Sequence, residues 1–154
     1  MDSRRPSWPS LVRHLAWIGA AWGLGGCSGS SSSSSAPATF TEVYEQVLGP
    51  QCGQMCHMPN GSGVTLGMLD LSTQTTAFNA LVEVAAAGSA CAGKNVVRVI
   101  PGNVDQSLLA EKIDPKLFQS MNVCGSPMPL DENALPQTQI DEVESWIAAG
   151  AKND

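Results

Sequence analysis

The residues of this chain best suited to chemistry are two cysteines and a histidine in one short segment, Cys52, Cys56 and His57. Two thiols can add to the two vinyl groups of a haem as thioethers, and a histidine directly after the second cysteine can bind the iron. Three residues separate these cysteines, whereas the usual attachment motif has two. The segment therefore indicates covalent haem attachment with a longer spacing, and attachment through Cys56 alone is a real alternative.

A methionine in a loop rich in glycine and proline supplies a second candidate iron ligand. Met128 lies between Pro127 and Pro129, ahead of the last predicted helix. Thioether sulfur is a soft ligand, and in the sixth position it raises the potential of an electron-transfer haem. We expect Met128 to be the distal ligand, with Met121 as its competitor. A haem whose sixth position stayed open would instead act as a ligand sensor.

These features resemble the class I c-type cytochromes, and the resemblance spans roughly residues 40–151. In that family the first and last helices cross and pack through aromatic rings, which Phe40 and Tyr44 against Trp146 would reproduce. The segments 69–72 and 146–151 are also similar to cytochrome-like domains of bacterial surface lipoproteins. The resemblance implies an all-α domain with one haem and one-electron transfer by Fe(III)/Fe(II) cycling. It implies no bound substrate and no enzymatic activity of the domain by itself.

The histidine count limits the other kinds of site. If a targeting segment is removed, His14 leaves with it and His57 is the one histidine that remains. That excludes a bis-histidine haem within the chain and a copper site with two histidines, and a Ser-His-Asp site would need His57 as its base. A zinc or copper site made of Cys52, Cys56, His57 and Met128 stays open.

The N-terminus has the features of an export signal. Arg4, Arg5 and Arg13 precede an apolar stretch of roughly a dozen residues, which is shorter than the ~20 needed to span a bilayer as a helix. The stretch ends in a Leu-Gly-Gly sequence before Cys27 and looks like a lipobox. We therefore predict a lipoprotein signal peptide at residues 1–26 and a lipidated Cys27.

A flexible tether is predicted directly after the lipidated cysteine. Residues 27–38 are mostly serine, with glycine, alanine and proline, and such a composition cannot bury enough apolar surface to fold. The cytochrome-like domain would then occupy residues 39–151. Export places it in the periplasm or at the cell surface, and Ser28 after the cysteine favours the outer membrane.

Net charge limits the kinds of binding partner, and aromatic content limits the size of the core. Without residues 1–26 the chain keeps five basic and thirteen acidic residues, a formal charge of −8. Such a domain is not expected to bind nucleic acid through phosphate contacts, and a redox partner should present a basic patch. Five aromatic residues remain for a domain of about 115 residues, so the core needs disulfides, a metal or a large cofactor to complete it.

Four cysteines remain once Cys27 is assigned to lipid, and an oxidising compartment disfavours free thiols. We predict a structural disulfide between Cys91 and Cys124. A second disulfide, between Cys52 and Cys56, would make the chain a structural or interaction lipoprotein without a cofactor, which is the alternative function from another class.

Helical spacing predicts four helices in the domain. They are expected from Thr39 to a stop at Gly49 and Pro50, from Ser72 or Thr75 to Gly88, after a cap at Asn103 or Asp105, and from Pro136 to Gly150. Residues 96–100 read as a short strand. Asp141, Glu142 and Glu144 are expected on a solvated face of the last helix, and Met55, Met58 and Met68 as core or pocket residues rather than a metal-binding cluster.

Overall fold

Helices form most of the regular structure, in agreement with the predicted class. The computed structural model describes residues 36–121, 124–130 and 133–154. In chain order its elements are α1 (Phe40–Val43), a π-helical segment (Tyr44–Gly53), α2 (Ser62–Thr65), α3 (Gln74–Leu81), α4 (Leu108–Ile113), α5 (Pro115–Met121) and α6 (Gln137–Ala148). The predicted signal peptide and Cys27 lie outside the described residues. No helix in the described ranges is long and apolar enough to cross a membrane.

The first helix begins as predicted but does not end as predicted. Thr39 caps α1 by accepting a hydrogen bond from the amide of Glu42, whose carboxylate accepts one from the Thr39 amide at 2.8 Å. The expected stop at Gly49 and Pro50 is wrong, because the chain runs on through both residues as the π-helical segment. Buried side chains of this segment pack into the core, and such packing overrides a local break in helical bonding.

The second and third predicted helices are shorter than the sequence indicated. Thr73 caps α3 by accepting from the amide of Thr76 at 3.1 Å, and α3 ends at Leu81, well before the expected end at Gly88. The backbone turns there, since Glu83 has a left-handed φ of 58°. Ser107 precedes α4, rather than the expected Asn103 or Asp105.

Three local elements differ from the sequence prediction. The helices α2 and α5 were not predicted. Residues 96–100 do not form a strand, because Val97 and Val99 make only isolated bridges, to Ala85 and Val82 respectively. These short pairings connect the chain after α3 to the chain before α4.

Aromatic rings join α1 to α6 at the centre of the core. The centroids of the Phe40 and Trp146 rings are 5.0 Å apart, as the resemblance to the cytochromes implied. Phe78 from α3 meets Phe40 edge-on at 5.1 Å, and the ring of Tyr44 lies 6.4 Å from that of Phe40. In the described residues Tyr44 makes no ring contact with Trp146, so the expected packing of Trp146 holds for Phe40 and not for Tyr44. Phe40 is fully buried, and its ring contacts connect α1 with α3 and α6.

The C-terminal residues also belong to this core. The indole of Trp146 donates to the carbonyl of Lys152 at 2.8 Å, and the amide of Phe40 donates to the Asp154 carboxylate at 2.9 Å. The first helix and the chain end are thereby held together over the aromatic cluster.

The acidic residues of α6 are not all solvated. Asp141 is exposed, as predicted, but Glu142 and Glu144 are partly buried, and each has one buried carboxylate oxygen without a hydrogen-bond partner. Burial raises the pKa of both carboxyl groups, with repulsion from neighbouring acids adding to the effect. The prediction of a solvated face is therefore wrong for these two residues.

A disulfide joins Cys91 and Cys124, as the sequence predicted, with a sequence separation of 33. Both cysteines are buried and pack with Leu108 in a small second apolar cluster. The bond therefore connects the chain before α4 to the loop that carries Met128.

Replacing Cys91 and Cys124 together by alanine is expected to lower the free energy of unfolding by roughly 3–4 kcal/mol, because the unfolded chain would lose a closed loop of this length. Urea unfolding of the variant and the wild-type chain measures the difference. Peptide mapping without reductant checks the pairing, and a bond from either cysteine to Cys52 or Cys56 would contradict it.

Candidate functional site

One cavity of about 390 Å³ brings together the four residues that the sequence assigned to a cofactor. Cys52 and Cys56 reach it from the end of the π-helical segment and the turn after it, His57 from the same turn, and Met128 from the loop between α5 and α6. The remaining wall is largely aliphatic, and its larger aliphatic members are Leu66, Leu69, Leu71, Leu81, Leu108, Leu109, Ile113 and Leu130. Residues far apart in sequence therefore converge on one apolar space.

The two candidate distal methionines are placed differently. Met128 lines the cavity and is partly buried, and its amide donates to the carbonyl of Lys112 at 2.7 Å. Met121 lies at the end of α5, is 39% exposed, and is not among the cavity-lining residues. The structure therefore favours Met128 as the methionine able to reach a group bound in the cavity.

The imidazole of His57 is oriented by the backbone across from it. Its Nδ1 lies 2.9 Å from the carbonyl oxygen of Leu69, and a carbonyl can only accept a hydrogen bond, so Nδ1 carries the hydrogen. In this tautomer Nε2 keeps the lone pair that binds a metal. The His57 carbonyl in turn accepts from the amide of Leu71 at 2.8 Å, which fixes the turn at a second point.

Two glycines allow the cysteine-histidine turn to sit this close to its neighbours. A Cβ on Gly63 would lie 2.4 Å from Nδ1 of His57, and a Cβ on Gly53 would lie 2.5 Å from the carbonyl oxygen of Leu71. Any side chain at either position would displace the turn or the imidazole. The sequence analysis missed this role, although a glycine between the cysteines and a Gly-Ser-Gly sequence after the histidine were visible signals.

The two thiols of the turn are unbonded in the structure and differ in exposure. Cys56 is exposed, whereas Cys52 is largely buried. Burial raises the pKa of the Cys52 thiol to about 11, with a smaller contribution from Cys56 beside it. Cys52 is therefore a neutral thiol at physiological pH.

A buried cation forms part of the same cavity wall. Arg98 is 6% exposed, and its guanidinium donates to the carbonyls of Ala80 at 2.9 Å and Met68 at 2.7 Å. Burial lowers the pKa of this group, and no carboxylate in the described part of the chain pairs with it. A buried charge without a counter-ion is costly, so the site suits a ligand that carries an anionic group. The sequence analysis did not identify Arg98.

A second basic residue ties the Met128 loop to α4. Lys112 lines the cavity, its ammonium donates to the carbonyl of Cys124, and it lies 5.2 Å from the centre of the Phe118 ring. Burial lowers the pKa of this ammonium group. The disulfide and Lys112 together hold the start of the loop that presents Met128.

The three methionines near the cysteine-histidine segment are exposed and not part of the core. Met55, Met58 and Met68 are 77%, 39% and 61% exposed, and none is among the cavity-lining residues. Their expected role as core or pocket residues is therefore wrong. Within residues 36–121, 124–130 and 133–154, no three histidine, cysteine or acidic side chains are grouped so as to hold a metal ion.

Comparison with protein-family models, with curated proteins and with solved structures finds no match for this chain.

Replacing Gly63 by alanine should break the hydrogen bond between Nδ1 of His57 and Leu69, because the new Cβ would overlap the imidazole. The ¹⁵N chemical shifts of the His57 ring in the chain without a bound ligand report the tautomer, and we expect loss of the Nδ1–H form. The neighbouring Ser62→Ala variant is the control and should keep it. An unchanged His57 signature in Gly63→Ala would contradict the assigned orientation.

Proposed function

We propose that this chain is a membrane-anchored electron-transfer protein with one covalently bound haem, of the class I cytochrome c type. The observation that carries the proposal is the convergence of Cys52, Cys56, His57 and Met128 on one apolar cavity. They are the two thiols, the imidazole and the thioether that covalent attachment and axial ligation of a haem require. They reach the cavity from two parts of the chain that are distant in sequence.

Three features of the cavity fit a haem in particular. The tautomer of His57 leaves Nε2 for the iron, while the Leu69 carbonyl takes the other ring nitrogen, which is the usual arrangement around a ligating histidine. The aliphatic wall suits the apolar face of a porphyrin. The guanidinium of Arg98 suits the carboxylates that a haem carries. The sparse aromatic content also fits, since the porphyrin would complete the core.

The chain's own residues set the conditions for electron transfer. A bound haem supplies one-electron chemistry through its iron. His57, with its orientation fixed by the Leu69 carbonyl, and Met128 would hold the iron. The largely aliphatic wall disfavours extra charge, which would stabilise the ferrous form and raise the reduction potential. Arg98, as a buried cation, acts in the same direction. No substrate is bound, and the domain is not an enzyme by itself.

The predicted export signal supports a location at a membrane outside the cytoplasm. Cys27 would carry the lipid, residues 27–38 would form the tether, and the outer membrane is favoured. The acidic surface would meet a redox partner through a basic patch on that partner, with no role for nucleic acid.

The deciding experiment is a pyridine haemochrome spectrum of protein made in a host with cytochrome c maturation. The polypeptide is denatured and extracted with acidified acetone, which removes haem that is not covalently attached. Haem that stays with the chain is the expected result. A colourless chain would contradict the proposal and favour the alternative, a structural or interaction lipoprotein with a Cys52–Cys56 disulfide.

The distal ligand is tested by a matched pair of variants. Met128→Ala should lose the low-spin methionine-ligated spectrum and its reduction potential should fall, because a soft thioether ligand raises the potential. Met121→Ala should keep both, since Met121 does not line the cavity. An unchanged low-spin spectrum in Met128→Ala would remove this residue from the ligand set and leave the sixth position to Met121 or to an external ligand.

A further inference from the structure

A second cavity shares part of its wall with the cavity that the cysteine-histidine turn reaches. It has a volume of about 240 Å³, and its wall in the described part of the chain includes Phe118 from α5 and Ala134 from the loop before α6. Four residues line both cavities, namely Lys112, Ile113, Met128 and Pro129. Met128 therefore belongs to the wall that the proposed haem site shares with a separate space.

The second cavity suits the side chain of a methionine. A space of roughly 10–15 Å³ is enough for one water molecule, so a cavity of about 240 Å³ has ample room for a short unbranched chain. The ring of Phe118 in its wall offers the aromatic contact that a thioether sulfur favours. A methionine side chain has three rotatable bonds, and it can therefore change direction without a movement of its backbone.

The backbone of Met128 is held by contacts that do not involve its side chain. Its amide donates to the carbonyl of Lys112 at 2.7 Å, and the ammonium of Lys112 donates to the carbonyl of Cys124. The disulfide in turn joins Cys124 to Cys91. The loop therefore keeps its place while the side chain turns, and the side chain can return to its first position.

The wall of the first cavity indicates which kind of molecule can take the place of Met128. The wall is largely aliphatic, so it accepts a small neutral molecule, whereas an anion would lose its hydration there. The buried cation Arg98 does not change this, since the proposed function already assigns it to the carboxylates of the haem. A neutral diatomic gas that binds ferrous haem, such as carbon monoxide, has the required chemistry.

We propose that Met128 is a displaceable ligand, whose side chain enters the second cavity when a neutral diatomic gas binds in its place. This inference rests on the proposed haem function and adds a second activity to it, the reversible binding of such a gas. It differs from a haem with an open sixth position, because Met128 fills that position whenever the gas is absent.

The exchange is a ligand substitution. The sulfur of Met128 gives up its coordinate bond and the carbon of carbon monoxide forms one, and each ligand contributes one electron pair. No electron and no proton is transferred, so the exchange requires no oxidant and no reductant. Met128 remains a neutral thioether throughout.

Carbon monoxide binding to the full chain tests the inference. The protein is made in a host with cytochrome c maturation, reduced with dithionite and titrated with the gas while its absorption spectrum is recorded. Met128→Ala is the reference for binding without displacement. Ala134→Phe fills the second cavity, and Asn133→Phe is the control, since it adds the same ring at an exposed position that lines neither cavity.

We expect the wild type to bind carbon monoxide with loss of its methionine-ligated spectrum and to regain that spectrum when the gas is removed. Ala134→Phe should bind the gas about tenfold more weakly, because tenfold corresponds to about 1.4 kcal/mol and an overpacked space costs this much. Asn133→Phe should bind it as the wild type does.

Methyl NMR locates the displaced side chain directly. The methionine methyl groups are labelled with ¹³C, and Met128→Leu identifies the signal of Met128. In the carbon monoxide complex we expect nuclear Overhauser contacts between this methyl group and the Phe118 ring. This measurement does not depend on how the ring of Ala134→Phe packs.

The outcomes separate this inference from the proposed function. A wild type that keeps Met128 bound under saturating gas, while Met128→Ala binds the gas, would overturn the inference and leave the proposed function standing. A displaced Met128 methyl group without contact to Phe118 would also overturn it, as would equal affinity in Ala134→Phe and the wild type. A wild-type chain without covalent haem would overturn the proposed function itself.

Discussion

The constraint on which the site depends is the contact between the cysteine-histidine turn and the backbone of residues 69–71. The Leu69 carbonyl holds the imidazole of His57 through Nδ1, and the Leu71 amide donates to the His57 carbonyl. Gly53 lies against the Leu71 carbonyl so closely that no side chain fits between them. These contacts join the two ends of the chain segment between the π-helical segment and α3. They orient Cys52, Cys56 and His57 toward one cavity.

The cavity combines a large apolar wall with a buried positive charge, and that combination constrains what can fill it. Burying Arg98 among carbonyls without a carboxylate partner in the described part of the chain costs free energy that a purely hydrocarbon ligand would not offset. A ligand with a broad apolar face would cover the aliphatic wall, and acidic groups on the same ligand would pair with Arg98. A haem has both features, and it would also supply the core volume that few aromatic residues provide.

The position of Met128 depends on contacts made outside the cysteine-histidine segment. The disulfide joins Cys124 to Cys91, and the ammonium of Lys112 binds the carbonyl of Cys124. The amide of Met128 then donates to the carbonyl of Lys112. Held in this way, the loop brings Met128 to the cavity, while Met121 at the end of α5 stays away from it. The disulfide therefore contributes to the placement of Met128 beside the cavity.

What the sequence determined by itself is the chemistry that depends on residue type and short spacing. It identified the cysteine-histidine segment and the capping box at Thr39 and Glu42, because such features need few residues and little context. The pairing of Cys91 with Cys124 followed from assigning Cys27, Cys52 and Cys56 to other roles. It could not place the end of the first helix, since burial of the π-helical segment outweighs the break expected at Pro50. The tertiary structure also decided that Arg98 lines the cavity. Long-range packing fixes which backbone carbonyls surround a side chain, and no local pattern reports this.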